Sequence, residues 1–298
     1  MESFVRNCDA CQRHKNQNQA SGHLPARVEI GLPWNEIAID TIGPWKLTVP
    51  ALGSLTFDAY TIIDTCTNLL EAKRATQANP TGIESVQALE QTWLSRCPQP
   101  TRCIFDQGTE YLNVDFQSML LHRGIQPVAC TVANPQSNAI LERVHDVMKS
   151  SIRIEAHTNP PANVNEANDM VDRLLSSAIF ATRCSVHRTF GVSPGALVFN
   201  RDMLLPIPVI ADLQNIRTRR QRQIDLDHLR DNRRRRFTDY LVGQRMMILN
   251  RNPDALEARA TGPFVITQIH TNGTVSFIRR NNVIERINIR QIKPCFGN

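Results

Sequence analysis

The 298-residue chain lacks several features, and each absence excludes a class of protein. It has no long apolar run. The longest uncharged stretch, Gly124 to Leu141, is broken by Pro127, Pro135, Gln126, Asn134, Gln136 and Asn138, so a membrane span is not expected. No apolar signal-peptide core follows Met1, since Arg6, Asn7 and Asp9 come at once, and an intracellular location is expected. There is no internal repeat. There is also no dense cysteine framework: of Cys8, Cys11, Cys66, Cys97, Cys103, Cys130, Cys184 and Cys295, only the first two are close in sequence. Reduced thiols are therefore expected, with Cys103 and Cys130 as small buried hydrophobes.

What is present is charge, unevenly placed. The whole chain carries 34 Lys+Arg against 28 Asp+Glu. Asp212 to Asn298 holds 17 basic and 8 acidic residues, a net of +9, which leaves −3 for Met1 to Ala211. A basic module joined to a near-neutral one suggests a polyanionic partner. Arg233-Arg234-Arg235-Arg236 is the densest basic run, with Arg217, Arg219, Arg220 and Arg222 upstream. Arg279, Arg280, Arg286 and Arg290 fall among later strand residues. Both groups suit contacts to a phosphate backbone, and the first also reads as a nuclear-localisation run.

The hydrophobic pattern predicts strands at Glu36 to Ile42, ended by Gly43-Pro44, then at Phe57 to Asp64 and Leu69 to Ala75. The period then changes. Ile83, Val86, Leu89, Trp93 and Leu94 recur at helical spacing, behind a capping box of Thr81 and Glu84. A short strand ending at Phe105, a helix over Asp115 to His122 and a strand over Ile125 to Val132 follow. Asn134-Pro135-Gln136 argues against regular structure, and helices are predicted from Asn138 to about Glu155 and from Val164 to Ile179. A meander followed by alternating elements implies a mixed sheet with helices on its faces, an α/β fold. Beyond it, Arg217 to Phe237 reads as a helical linker. Short strands at Met246 to Leu249, Phe264 to Ile269, Val275 to Ile278 and Val283 to Ile287 suit a small β-barrel.

Three carboxylates occupy informative places. Asp40 interrupts an apolar strand, Asp106 leaves a buried strand before a glycine turn, and Glu142 lies one turn into a helix after a proline. Converging carboxylates repel unless a cation neutralises them, and hard oxygen ligands favour magnesium or manganese. Two such ions are suited to phosphoryl transfer. Singly, each residue has an ordinary structural explanation in a strand, a turn or a helix start.

The sequences around these residues resemble a known family. Phe105-Asp106-Gln107-Gly108-Thr109-Glu110-Tyr111 and Asn134-Pro135-Gln136-Ser137-Asn138-Ala139-Ile140-Leu141-Glu142-Arg143 look like the integrase core of gypsy-type (Metaviridae) LTR retrotransposons and retroviruses. Asp106 and Glu142 are separated by 35 residues, the interval of the D,D-35-E family. Trp34 to Pro44 resembles its first catalytic strand, Val186 to Gly195 the segment closing the core, and Gly262-Pro263-Phe264 the GPY/F module. The resemblance implies a ribonuclease H-like core with a Src-homology-3-like or chromo-like barrel after it. It implies DNA 3′-end processing and strand transfer, with Asp40, Asp106 and Glu142 holding two Mg2+ or Mn2+ ions. It also implies a homo-multimer acting on element ends and target DNA in the nucleus.

Within that frame, Lys149 returns to the face of Glu142 two turns later, and Gln136 and Asn138 lie in the loop before the helix, so all three are candidate DNA contacts. Asp64 and Glu110 are not carried over as ligands. Ala139 stands where the family commonly has Gly. Cys8 and Cys11 match the family's zinc-binding Cys pair, but no His pair precedes them, so no zinc site is expected. The implied organisation is 1–26 as a remnant zinc segment, 27–200 as the core, 201–240 as the Arg-rich linker and 241–298 as the barrel. The contrasting reading is a catalytically inert or domesticated DNA-binding or chromatin-tethering protein.

Overall fold

The structure, a computed structural model, describes residues 7–15, 19–26, 31–49, 53–76, 80–106, 108–129, 135–188, 190–250, 253–270, 273–279 and 284–296. For 49, 135–144 and 284 it describes the backbone alone. In chain order the elements are α1 (Asp9–His14), β1 (Ala20–Ser21), β2 (Glu36–Val49), β3 (Gly53–Asp64), β4 (Leu70–Arg74), α2 (Gly82–Leu89) continued by a π-helical turn (Glu90–Leu94), β5 (Arg102–Phe105), α3 (Thr109–Leu112), α4 (Val114–His122) and β6 (Gln126–Ala129). Then come α5 (Pro135–Thr158), α6 (Val164–Cys184), α7 (Pro194–Phe199), α8 (Leu213–Arg233), β7 (Arg235–Arg236), β8 (Arg245–Leu249), β9 (Ala260–His270), β10 (Thr274–Ile278), β11 (Ile284–Asn288) and β12 (Ile292–Pro294). No described helix is long and apolar enough to cross a membrane. Contacts divide the chain into two units. One is built on Ile30–Cys130 and Asn134–Arg220, and the other joins the N-terminal segment up to Glu29 to Gln221–Asn298.

The first unit is a five-stranded mixed sheet in the order β4-β3-β2-β5-β6. The meander β2-β3-β4 is antiparallel, and β5 and β6 are added parallel to β2. Strand alternation sends Ile37 and Ile39 to one face, against Ala88, Leu89, Trp93, Phe116 and Leu120. Ala38 and Ile42 go to the other, against Met148 and Ile152 of α5 and Val171 and Leu175 of α6. Helices therefore cover both faces, as the pattern implied.

Four departures from the sequence reading stand out. Strand β2 does not stop at Gly43-Pro44. The register with β3 shifts between Ile42 and Trp45, so an irregularity absorbs the proline and the strand runs on to Val49. Gly43 has φ +134°, and a Cβ there would lie 2.1 Å from Asp58 Oδ1, so only glycine fits. Helix α5 begins at Pro135, not Asn138, because proline is tolerated in a first turn where no amide hydrogen is required. The capping box is half made. Thr81 accepts from the Glu84 amide at 3.3 Å, but the Glu84 carboxylate turns to the Thr76 amide and hydroxyl. Ile83, assigned to the apolar face by spacing, is 59% exposed, while Ser85 and Thr92 are buried.

In the second unit, β11-β10-β9-β8-β12 form an antiparallel sheet whose inward residues include Met246, Ile266, Val275, Phe277, Ile287 and Ile292. Gly262-Pro263-Phe264 lies in β9, opposite a register irregularity between Met246 and Ile248. Gly262 takes φ +136°, and a Cβ there would press on the Met246 carbonyl at 3.0 Å. The Phe264 ring then packs on Phe277 with centroids 5.2 Å apart. The motif is a bend followed by a core anchor.

Candidate active site

Strands β2 and β5 pair in parallel, with Ala38 opposite Ile104. Asp40 is two residues beyond that last pair in β2, and Asp106 is two residues beyond it, just after the end of β5. The parity also fixes the face: Ala38 belongs to the core under α5 and α6, and Asp40 is two residues on. Asp40 is largely buried, with its side chain 17% exposed, whereas Asp106 is exposed where β5 ends. Asp106 Oδ1 accepts from the Gly108 amide at 2.9 Å, which holds the carboxylate against its own turn. Below the strand ends, Phe105, Tyr111 and Phe116 form an aromatic cluster with centroids 5.2–5.9 Å apart. The Tyr111 hydroxyl bonds Thr41 Oγ1 at 2.6 Å, tying the segment after Asp106 to the strand of Asp40.

Helix α5 closes over this face. Met148 and Ile152 bury into the core, and His145, one turn earlier, is 5% exposed. The ring Nε2 of His145 bonds Thr61 Oγ1 at 2.9 Å, and Thr61, the partner of Asp40 in the β2–β3 register, donates its hydroxyl to the Asp40 carbonyl at 3.2 Å. His145 Nδ1 lies 4.0 Å from Asp40 Oδ2. Burial pushes the imidazole pKa down to about 4, helped by Lys149, so the ring is neutral and this approach is not an ion pair. Glu142 lies three residues before His145 in the same helix, so helical spacing sets the two positions about 60° apart. The side chain of Glu142 is outside the described residues, as are those of Gln136 and Asn138. Among the described residues no group of three His, Cys, Asp or Glu is placed to hold a metal ion.

Asp40 thus lies two residues beyond the last β2–β5 pair and Asp106 directly after β5, while the helix of Glu142 packs on the same face of the sheet as Ala38. His145 and Thr61 were missed from sequence. The available signal was the step from His145 to Met148 and Ile152, which marks one sheet-facing stripe. Asp64 is fully buried and accepts from the Cys66 and Thr67 amides and the Thr67 hydroxyl, so it holds a turn. Lys149 is exposed on α5 and pairs with Asp146 at 3.5 Å. Arg233, Arg234 and Arg236 are exposed, and Arg279 is exposed with Glu285 3.4 Å away. Arg235 turns inward and donates to the carbonyls of Gly22, Ser21 and Ile289. Arg280 lies outside the described residues.

The neutral His145 has a measurable consequence. Its ordinary pKa of 6.5 applies in the unfolded chain and about 4 in the folded one. Above pH 6.5 both states are neutral there and the residue adds no pH dependence. Below it the unfolded chain takes up a proton that the folded one refuses, so stability falls on acidification until about pH 4. The loss attributable to this ring is at most roughly 3 kcal/mol. Urea unfolding of wild type and His145→Met at pH 7 and pH 4.5 should show a smaller acid loss in the variant.

No family model matches the chain, and no curated protein does. Solved structures do. The chain has the fold of a retroviral intasome chain. That chain comes from the simian T-cell lymphotropic virus intasome in complex with PP2A regulatory subunit B56 gamma, with TM-score 0.63 and 16% identity over 98% of this chain and 89% of that one. Shorter matches include the HTLV-2 integrase catalytic core domain in complex with magnesium (dimeric form), at TM-score 0.42 and 15% identity over 55% of this chain and 95% of that one. Another is the catalytic core domain of BIV integrase, at TM-score 0.39 and 16% identity over 54% and 91%.

Proposed function

We propose that this protein is an integrase-like polynucleotidyl transferase of a gypsy-type LTR retroelement, which processes DNA 3′ ends and transfers them into target DNA. The observation that supports the reading is the parallel β2–β5 pairing, from whose last pair Asp40 and Asp106 are each two residues on, with the helix bearing Glu142 packed on that face. Carboxylates converging from the ends of paired strands would offer hard oxygen donors, which suits a divalent cation and would be costly without one. Asp40 and Asp106, with Glu142 from α5, would hold Mg2+ or Mn2+. Two such ions supply charge neutralisation at the phosphate and acidify the attacking hydroxyl.

The chain's own residues do the rest. The β2–β5 pairing fixes the spacing of the two Asp, and the Tyr111–Thr41 bond stiffens the Asp106 exit. Neutral His145 adds no positive charge beside Asp40 and anchors α5 through Thr61. Lys149, Gln136 and Asn138 are placed in this reading to contact the DNA near the reacting phosphate. Exposed Arg233, Arg234, Arg236 and Arg279, with Arg280, hold the backbone further away. The C-terminal sheet is read as a small DNA-binding barrel, the active form as a homo-multimer, and the site of action as the nucleus.

Duplexes carrying the terminal-repeat end test this directly. The reading expects trimmed 3′ ends and joined products in Mg2+ or Mn2+, all lost with chelator. DNA binding that survives chelation, with no cleavage in either metal, would instead establish an inert DNA-binding protein. The arginines give a second expectation. Arg233→Ala, Arg234→Ala and Arg236→Ala should each flatten the dependence of log K on log salt by about 0.9 per lost phosphate contact. Arg235→Ala should leave that slope alone and cost about 2 kcal/mol in the second unit, since its charged donors are spent on carbonyls. Filter binding across a salt series and urea melts separate the two.

A further inference from the structure

The N-terminal segment and the C-terminal module meet through contacts that read as peptide recognition. Strand β1 pairs in parallel with β7, and the Gly22 amide donates to the Arg236 carbonyl at 3.0 Å. The Asn232 side chain closes a reciprocal pair with Leu24. It accepts from the Leu24 amide at 2.8 Å and donates to the Leu24 carbonyl at 3.2 Å. Gln12 makes the same kind of pair with Phe296, at 2.7 and 2.9 Å. The Arg235 guanidinium donates to the Ser21 and Gly22 carbonyls, so two arms of the module grip one short stretch of backbone.

Side chains add selectivity. Leu24 packs against the module's own core of Met246, Phe277 and Ile292. Gly22 has φ +78°, and a Cβ there would lie 2.6 Å from the Tyr240 ring. On the other side, a Cβ at Gly273 would lie 2.8 Å from Pro25. Glycines on both partners thus permit close approach where larger residues would collide. The His23 and Phe237 rings meet edge to face at 5.3 Å.

We infer that the C-terminal module carries a docking seat for a Ser-Gly-x-Leu-Pro peptide bent at its glycine, and that its occupant is the chain's own residues 21–25. The reason for the occupant is the continuity of the contact: every group above belongs to one unit, and the peptide contributes an apolar side chain to that unit's core. The seat has a consequence for the basic run. Turning Arg235 inward onto the peptide leaves Arg234 and Arg236 pointing out, so the occupied seat sets which arginines face solvent.

The test uses the full chain. Leu24→Asp should raise amide hydrogen exchange at least ten-fold across 232–240 and 289–292, leaving β2 and β3 unchanged. Adding a synthetic peptide of residues 7–26 should restore protection, and the same peptide with Leu24→Asp should not. A second variant keeps the test sound if Leu24→Asp fails to fold. Ser21→Cys with Arg236→Cys, paired positions in the β1–β7 register, should form a disulfide within one chain, mapped by peptide mass spectrometry. Unchanged exchange in a folded Leu24→Asp chain overturns the seat. A disulfide that forms only between two chains overturns the assignment of its occupant.

Discussion

Asp106→Asn should reduce metal-dependent strand transfer by at least about 10³-fold while changing DNA affinity little. Asp106 is exposed at the end of β5 and accepts a hydrogen bond from the Gly108 amide, which an Asn side-chain oxygen can still accept. The substitution therefore removes charge at nearly constant shape, and the fold is not at risk. Asp40→Asn should match it in activity but not in stability. Asp40 is more buried, and it faces the Thr61–His145 network, where an amide brings new donors into a satisfied site. Single-turnover assays paired with thermal melts separate the two effects. Equal activity in Asp106→Asn and wild type would remove Asp106 from the chemistry.

The second large effect is structural and lies just beneath the first. Tyr111→Ala should destabilise the first unit by about 3–5 kcal/mol, the usual cost of deleting a fully buried aromatic ring. Tyr111 is 0% exposed and packs on both Phe105 and Phe116, so removing its ring opens a cavity under the strand that ends at Asp106. Tyr111→Phe keeps the ring and loses only the 2.6 Å bond to Thr41. That should cost about 1 kcal/mol. Its signature should be a fall in strand transfer larger than its fall in stability, because the bond links the segments of Asp40 and Asp106. Chemical denaturation of both variants, with activity measured on the folded fraction, checks this. A Tyr111→Phe chain with full activity would show that the tie to Thr41 does not serve the site.

Much of the core was legible because its strands alternate cleanly. Ile37 and Ile39 against Ala38 and Asp40 announce a strand buried on both faces, and that parity already sets Asp40 toward one covering layer. The interval from Asp106 to Glu142 was legible as a family resemblance. What was not legible came from tertiary context. Ile83 fits the helical period but faces solvent, because the helix turns Gly82, Ser85 and Ala88 inward and Asn113 crowds Gly82. Gly43-Pro44 reads as a strand end, yet the register shift carries the strand past it. His145 reads as an ordinary helix position, and only the approach of Thr61 from another strand gives it a task. Arg235 is indistinguishable in sequence from its three neighbours. Its role comes from carbonyls more than 200 positions away in the chain, which no local pattern encodes. The same is true of the stretch within 1–26, read from sequence as a remnant zinc segment, that contributes Leu24 to a distant core.

In the proposed function Asp40 and Asp106 together hold a divalent cation. Mn2+ titration of the full chain in the presence of duplex DNA, followed by the loss of free-ion paramagnetic signal, tests it without relying on turnover. Saturable binding in wild type that disappears in Asp40→Asn and in Asp106→Asn, and persists in the exposed control Asp115→Asn, is the predicted result. Undiminished Mn2+ binding in the Asp106→Asn chain would contradict it.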